Sequence, residues 1–277
     1  MPAQMLPQVI VAGLLLGFMS IVDTLAYCFR TAGVLRKRLA ISLALFNATV
    51  VFARTSNLIQ APILANLSDK SAVGVYTDDE VLAGLRIALL FIAVGVVLGA
   101  LLTPTFIAIA ARGVELLEET GTLPRTVLYG LKRIGRLPRY FVAPSLARAA
   151  RYLDLRSLPR GFLLFNIPVT CFYSIGVMST LLAASWDPSV AMTNAYLSGI
   201  VNGIATLLLF IIVDPPAAVV IDQCIAGKRP VEHAKTMNLY LIVTRLAGVL
   251  LGLLLLPLMA RIVLAAAQFV NWVFSAN

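Results

Sequence analysis

The chain has 277 residues, of which 60% are apolar and only 13% are charged. A soluble domain is about one-quarter charged, and a chain this apolar has too little polar surface to cover one soluble core. The composition excludes a soluble globular protein, a disordered chain and a disulfide scaffold. It also makes the placement of the cations matter more than the net charge of +9.

A transmembrane helix needs about 20 mainly apolar residues. Six stretches qualify: 7–29, 39–66, 87–111, 161–184, 195–222 and 237–260. Their length and lack of alternation favour helices over barrel strands. The expected fold is a single all-α polytopic membrane domain of six transmembrane helices.

The first span carries Gly13, Gly17 and Asp23 and lacks a basic leader, so it reads as a span rather than a signal peptide. Loop 30–38 follows with Arg30, Arg36, Lys37 and Arg38. In the second span Arg54, Asn57 and Gln60 sit at i, i+3, i+6. Arg54 and Asn57 then share a helix face, with Gln60 about 60° further round. Pro62 loosens the outer end of that span. Asn66-Leu67-Ser68 fits a glycosylation sequon and is read as a chance match. Loop 67–85 has one cation, Lys70, beside Asp69, Asp78, Asp79 and Glu80.

The third span has Gly95 and Gly99. Loop 112–160 holds ten cations and reads as short interfacial helices. In 144–157, Leu146, Ala150 and Leu153 fall on one side and Arg148 and Arg151 on another. Plain positive-inside anchoring and specific recognition of anionic lipid both fit this segment.

The fourth span leads to loop 185–194, which has no cation. The fifth span carries Gly199, Gly203, Asp214 and Asp222, with Pro215-Pro216 directly after Asp214. Those prolines free backbone carbonyls and predict a kink or break, which membranes tolerate beside a cavity. Loop 223–236 holds Lys228, Arg229, His233 and Lys235. The sixth span has Arg245, Gly248 and Gly252, and the tail 261–277 reads as interfacial. The four glycine pairs predict a closely packed bundle.

Loops 30–38, 112–160 and 223–236 together carry 17 of the 22 cations. This alternation puts those basic loops in the cytoplasm and both termini outside. Cys28, Cys171 and Cys224 are far apart in or beside spans and read as buried small hydrophobes. No P-loop, zinc signature, nucleophile elbow or Cys/His pairing stands in the sequence, so no cofactor or metal is expected. The distribution of charge also argues against nucleic acid as a partner.

A charge at mid-bilayer costs roughly 2.5–3.5 kcal/mol on insertion scales. Asp23, Arg54, Asp214, Asp222 and Arg245 incur that cost, and such residues normally face a bundle interior or wet cavity. At a rise of about 1.5 Å per residue, Asp23, Asp214 and Arg245 reach one level in the inner half, with Arg54 higher. A structural hydrogen-bond network explains Asn57 and Gln60 as well as a functional one does. The arginines suit an anionic ligand, above all phosphate, which guanidinium grips bidentately. Asp214 is expected to hold Arg245 until such a ligand displaces it.

Ala53-Arg54-Thr55-Ser56-Asn57-Leu58-Ile59-Gln60-Ala61-Pro62 resembles a signature of the Amj-type lipid II flippases of bacteria. Val213-Asp214-Pro215, followed by Asp222 and Gly227-Lys228-Arg229, resembles that family's second signature, and Thr244-Arg245 fits a third. Ala53, where Ser is expected, and Pro216 depart from the pattern without touching a charged residue. The resemblance covers nearly the whole chain.

It implies transport of undecaprenyl-pyrophosphate-linked disaccharide-pentapeptide, lipid II, across the bacterial cytoplasmic membrane for cell-wall synthesis. Under it, Arg54, Asn57, Gln60 and Arg245 line the path and Lys228 and Arg229 gather the pyrophosphate. Asp23, Asp214 and Asp222 serve as charge partners or coupling sites. Three other readings stay open: an ion-coupled carrier of a small solute, a non-transporting scaffold, and a lipid-processing enzyme.

Overall fold

A computed structural model of the chain describes residues 2–55, 57–145 and 160–275. It is built from helices, and six of its helical spans are long and apolar enough to cross a membrane. The protein is an all-α multi-pass membrane protein.

Helix α1 runs over Leu6–Arg36, opening on a proline and closing where Lys37 turns left-handed at φ 54°. The second span comprises α2 (Leu39–Thr55) and α3 (Asn57–Ala72), with Pro62 inside α3. Helix α4 spans Asp78–Thr120. Its length of 43 residues is about 64 Å, roughly twice the hydrocarbon core. The sequence reading, 87–111, caught only the apolar middle of this helix. Hydropathy does not register the start, where the Thr77 hydroxyl accepts from the Glu80 N–H and Glu80 accepts from the Thr77 N–H. Asp78, Asp79 and Glu80 are therefore a first helical turn at the positive end of the helix dipole, not loop charges.

After α4 come α5 (Leu123–Lys132) and a 3₁₀ turn over Ile134–Tyr140. Val127, Leu128 and Leu131 are exposed on α5, consistent with an interfacial helix. Of the amphipathic segment expected over 144–157, residues 146–157 lie outside the described residues.

The second half opens with α6 (Arg160–Trp186) and a short 3₁₀ turn, Pro188–Val190. Span five is α7 (Ala191–Leu208), a π-helical turn over Leu209–Val213, and α8 (Asp214–Ile225). The break foreseen at Pro215-Pro216 takes this π form. The Asp214 N–H reaches back five residues to the Leu209 carbonyl, and α8 restarts with the prolines in its first turn, where a missing N–H costs nothing.

Helix α9 runs unbroken from Val231 to Ser275. The tail expected as a separate interfacial segment is its continuation. Pro257 lies within the helix without ending it, and Ala260, Val263 and Ala267 keep its inner face buried. Phe269, Trp272 and Phe274 are exposed at its far end.

Two helix pairs form the frame. A Cβ on Gly95 would stand 2.3 Å from the Gly17 carbonyl oxygen, so α1 and α4 touch backbone to backbone. A Cβ on Gly248 would stand 2.6 Å from the Ile167 carbonyl, which locks α9 against α6. The fourth glycine pair, Gly199 and Gly203, meets nothing within 4 Å. Composition alone does not say which face of a helix meets a neighbour.

The start of α1 and the end of α9 share one end of the bundle. Gln8 donates to Asn66 at 3.1 Å, Ser68 to the Leu181 carbonyl at 2.7 Å, and Gln268 to Asp187 at 3.0 Å. The Ser68 hydroxyl is thus a buried tie between spans. At the other end Arg36 pairs with Glu115 at 2.8 Å and Arg38 with Glu118 at 2.7 Å.

Candidate functional site

The polar centre is built on one face of α1. Asp23, Tyr27 and Arg30 follow i, i+4, i+7, so they stack over two turns. Arg245 of α9 donates to Asp23, and Arg30 donates to Asp214 at 2.5 Å. Two ion pairs therefore clasp α1 to the last two helical segments. Both are nearly dry, with the arginine side chains only 4% and 9% exposed.

Asp23 and Arg245 meet directly, while Asp214 joins them only through a shared cavity wall, its own partner standing two turns further along α1. The pairing differs from the expectation: Asp214 holds Arg30, not Arg245. The sequence reading assigned Arg30 to the inner loop because it ended the first span at residue 29. Helix α1 continues to Arg36, so Arg30 lies within the bundle. Its i+7 spacing from Asp23 is the signal that would have found it.

Aromatic rings shape the rest. The Arg30 guanidinium lies 4.1 Å from the Phe46 ring centroid and 5.8 Å from that of Tyr27. Above it, Asn166, fully buried on α6, donates to Thr244 at 2.8 Å and to the Leu241 carbonyl at 3.3 Å. That bond fixes the turn of α9 that carries Arg245.

Two small cavities flank the Asp23–Arg245 pair. One, of about 50 Å³, is lined by Ser20, Asp23, Gln60, Tyr173, Asn202 and Arg245 among others. The second, about 30 Å³, is lined by Asp23, Tyr27, Phe46, Tyr173, Asp214 and Arg245 among others. Gln60 is therefore brought to Arg245. The side chains of Arg54 and Asn57 lie outside the described residues. Asp222 is exposed near the end of α8, and Lys228 and Arg229 stand on the following turn. None of these three lines either cavity.

Burying an ion pair is a poor route to stability, because desolvation offsets most of the attraction. Here there are two. Moreover, Nε and Nη1 of Arg30 and Nε of Arg245 are buried and find no acceptor among the described residues. Guanidinium donors held dry and incompletely satisfied suit an anion that arrives from outside the bundle. The three cysteines are buried and unpaired, and no cluster of metal-ligating side chains occurs among the described residues.

A family model described as "Amj: Alternate to MurJ" matches residues 15–267. The chain belongs to this family. Among curated proteins, the Lipid II flippase Amj of Bacillus subtilis (strain 168) is 32% identical over 240 residues, covering 84% of this chain and 87% of the relative. The match takes in both halves of the bundle and every residue of the two ion pairs. No solved structure matches.

Proposed function

We propose that this protein moves lipid II from the inner to the outer leaflet of the bacterial cytoplasmic membrane. It acts as a transporter, not as an enzyme. Family membership and the activity named for the relative support this reading. The observation that carries it on this chain is the pair of buried Arg–Asp clasps on α1. A pyrophosphate is the kind of anion that competes with a carboxylate for guanidinium.

The basic loops face the cytoplasm and both termini lie outside. Lys228 and Arg229 then stand at the inner surface, where they gather the anionic head. Arg245 and Arg30 receive it deeper, with Gln60, Tyr173 and Asn202 offering hydrogen bonds to the sugar-peptide part. Cavities of about 50 and 30 Å³ are far below the roughly 300–1,000 Å³ of an open small-molecule site. Entry therefore requires α1 to part from α8 and α9. Displacing the two aspartates releases the bonds that hold those helices together, so binding and opening are one event. The polyprenyl tail stays in lipid while the head crosses about 30 Å of hydrocarbon.

The test uses the paired neutral variant Asp23→Asn/Arg245→Gln, which keeps a hydrogen bond but removes both charges. In cells depleted of other lipid II flippases, a leaflet-specific assay should find lipid II held in the inner leaflet at normal protein levels. The single variant Arg54→Ala, assayed alongside, tests whether the span-two stripe shares the path. Full outward movement by the paired variant would overturn the reading. Chemical alteration of a lipid pyrophosphate by purified protein would replace it with an enzyme.

A further inference from the structure

A third cavity, larger than the two at the ion pairs, lies away from them. It is a crevice of about 310 Å³ between α1, α4 and α9, within the lower range of ligand sites. It shares no lining residue with either polar cavity. Pro104 makes room for it. The proline has no N–H to offer the Ala100 carbonyl and its ring pushes that carbonyl away, and both residues line the crevice. The Thr105 hydroxyl holds the chain at Val142 by two hydrogen bonds, 3.0 and 3.2 Å, which fixes the segment leading to Ser145 at the crevice edge.

The walls are graded in polarity. Leu35, Ile107, Leu239 and Ile242 are apolar. Lys235, half-buried, stands one turn into α9, at the end of the bundle shared with the basic loops. From Lys235 to Ile242 is about 10 Å along the helix. Between them Asn238, 2% exposed, lines the crevice with its Oδ1 finding no donor among the described residues. Its amide donates only weakly, to the Cys28 sulfur at 3.8 Å.

We propose that this crevice holds an anionic glycerophospholipid of the inner leaflet, its phosphate at Lys235, its head-group hydroxyl at Asn238 and one acyl chain along the apolar wall. A cation at the leaflet surface above an apolar slot is the arrangement that anionic lipids select between helices. The unsatisfied Asn238 oxygen calls for a hydroxyl or ammonium donor, which a glycerol head supplies and a bare phosphate does not. The lipid wedges α4 against α9 at the proline, beside the clasped face of α1. It is a resident ligand, distinct from the transported one.

Full-length protein is purified and exchanged into nanodiscs of phosphatidylcholine with added phosphatidylglycerol, and retained lipid is counted by native mass spectrometry. The wild type should keep one phosphatidylglycerol in preference to phosphatidylcholine. Lys235→Ala should lower that retention about five-fold, and Lys235→Arg should restore most of it. Ala100→Leu, which narrows the wall without touching a charge, should weaken retention of both lipids. Asp187→Asn, outside the crevice at the other end of the bundle, should leave retention unchanged. Equal retention of phosphatidylcholine by the wild type would overturn the proposal, as would undiminished retention by Lys235→Ala. One-for-one displacement of phosphatidylglycerol by a polyprenyl diphosphate would also overturn it, making the crevice a groove for the transported lipid's tail. Because the readout is bound lipid and not movement, failure here leaves the flippase reading standing.

Discussion

Helix α1 meets its neighbours through two unlike faces. Against α4 the contact is glycine on glycine, with Gly95 against the Gly17 carbonyl and Gly99 against Thr24. Against α8 and α9 it is two ion pairs beside small cavities. The first face is buried, close and uncharged, with backbone against backbone. The second is held by two buried ion pairs, and under the proposed function an anion displaces their carboxylates. On that reading one helix carries a fixed joint and a releasable one.

Substitutions at the two faces should fail in different ways. Gly95→Leu gives the largest effect: a side chain has no space beside an immovable carbonyl, so folding should suffer by more than about 3 kcal/mol. Loss of monodisperse protein on size-exclusion chromatography is the readout. Arg245→Ala comes next, because it strands a buried carboxylate. It should cost about 3–5 kcal/mol, seen as a lower thermal midpoint. Adding Asp23→Asn to that variant should recover most of the midpoint without recovering lipid II movement. A midpoint that stays low would place Arg245 with the fixed joint instead.

At the small end, Asp187→Asn probes the tie between the α6–α7 turn and α9. The Ser189 hydroxyl, and after it Gln268, hold the Asp187 carboxyl below its ordinary value of 3.8. A lowered value in the folded state means the tie stabilises at neutral pH and is lost as pH falls through it. The variant should therefore melt within about 2 °C of the wild type at pH 7 and show a flatter decline in acid. Gly199→Ala with Gly203→Ala should raise the midpoint slightly, a gain of about 1–2 kcal/mol at most, since a Cβ at either position meets no neighbouring residue within 4 Å and alanine is the better helix former.

The six spans were legible because a run of apolar residues is a property of the chain alone. That Asp23, Asp214 and Arg245 lie deep enough to line one cavity was legible too, because rise per residue is nearly constant. Partners were not. Arg30 was hidden by one residue of span boundary, and with it the true partner of Asp214. Three of the four glycine pairs that the sequence offers make close contacts, and nothing in Gly199 and Gly203 themselves marks them as the exception. The capping box at Thr77 and Glu80 was readable as a motif, yet the hydropathy window began the span only at residue 87.

The five-residue turn at Leu209–Val213 changes how span five must be drawn. A helical wheel assumes one fixed rotation, about 100° per residue. Closing hydrogen bonds five residues back in place of four adds one residue to the wheel at that point. Any face plotted straight through from Asn194 to Asp222 is therefore out of phase by about 100° on one side of the turn. Paired cysteines for cross-linking, or substitutions meant to share a face, need two separate wheels, one for 191–208 and one for 214–225.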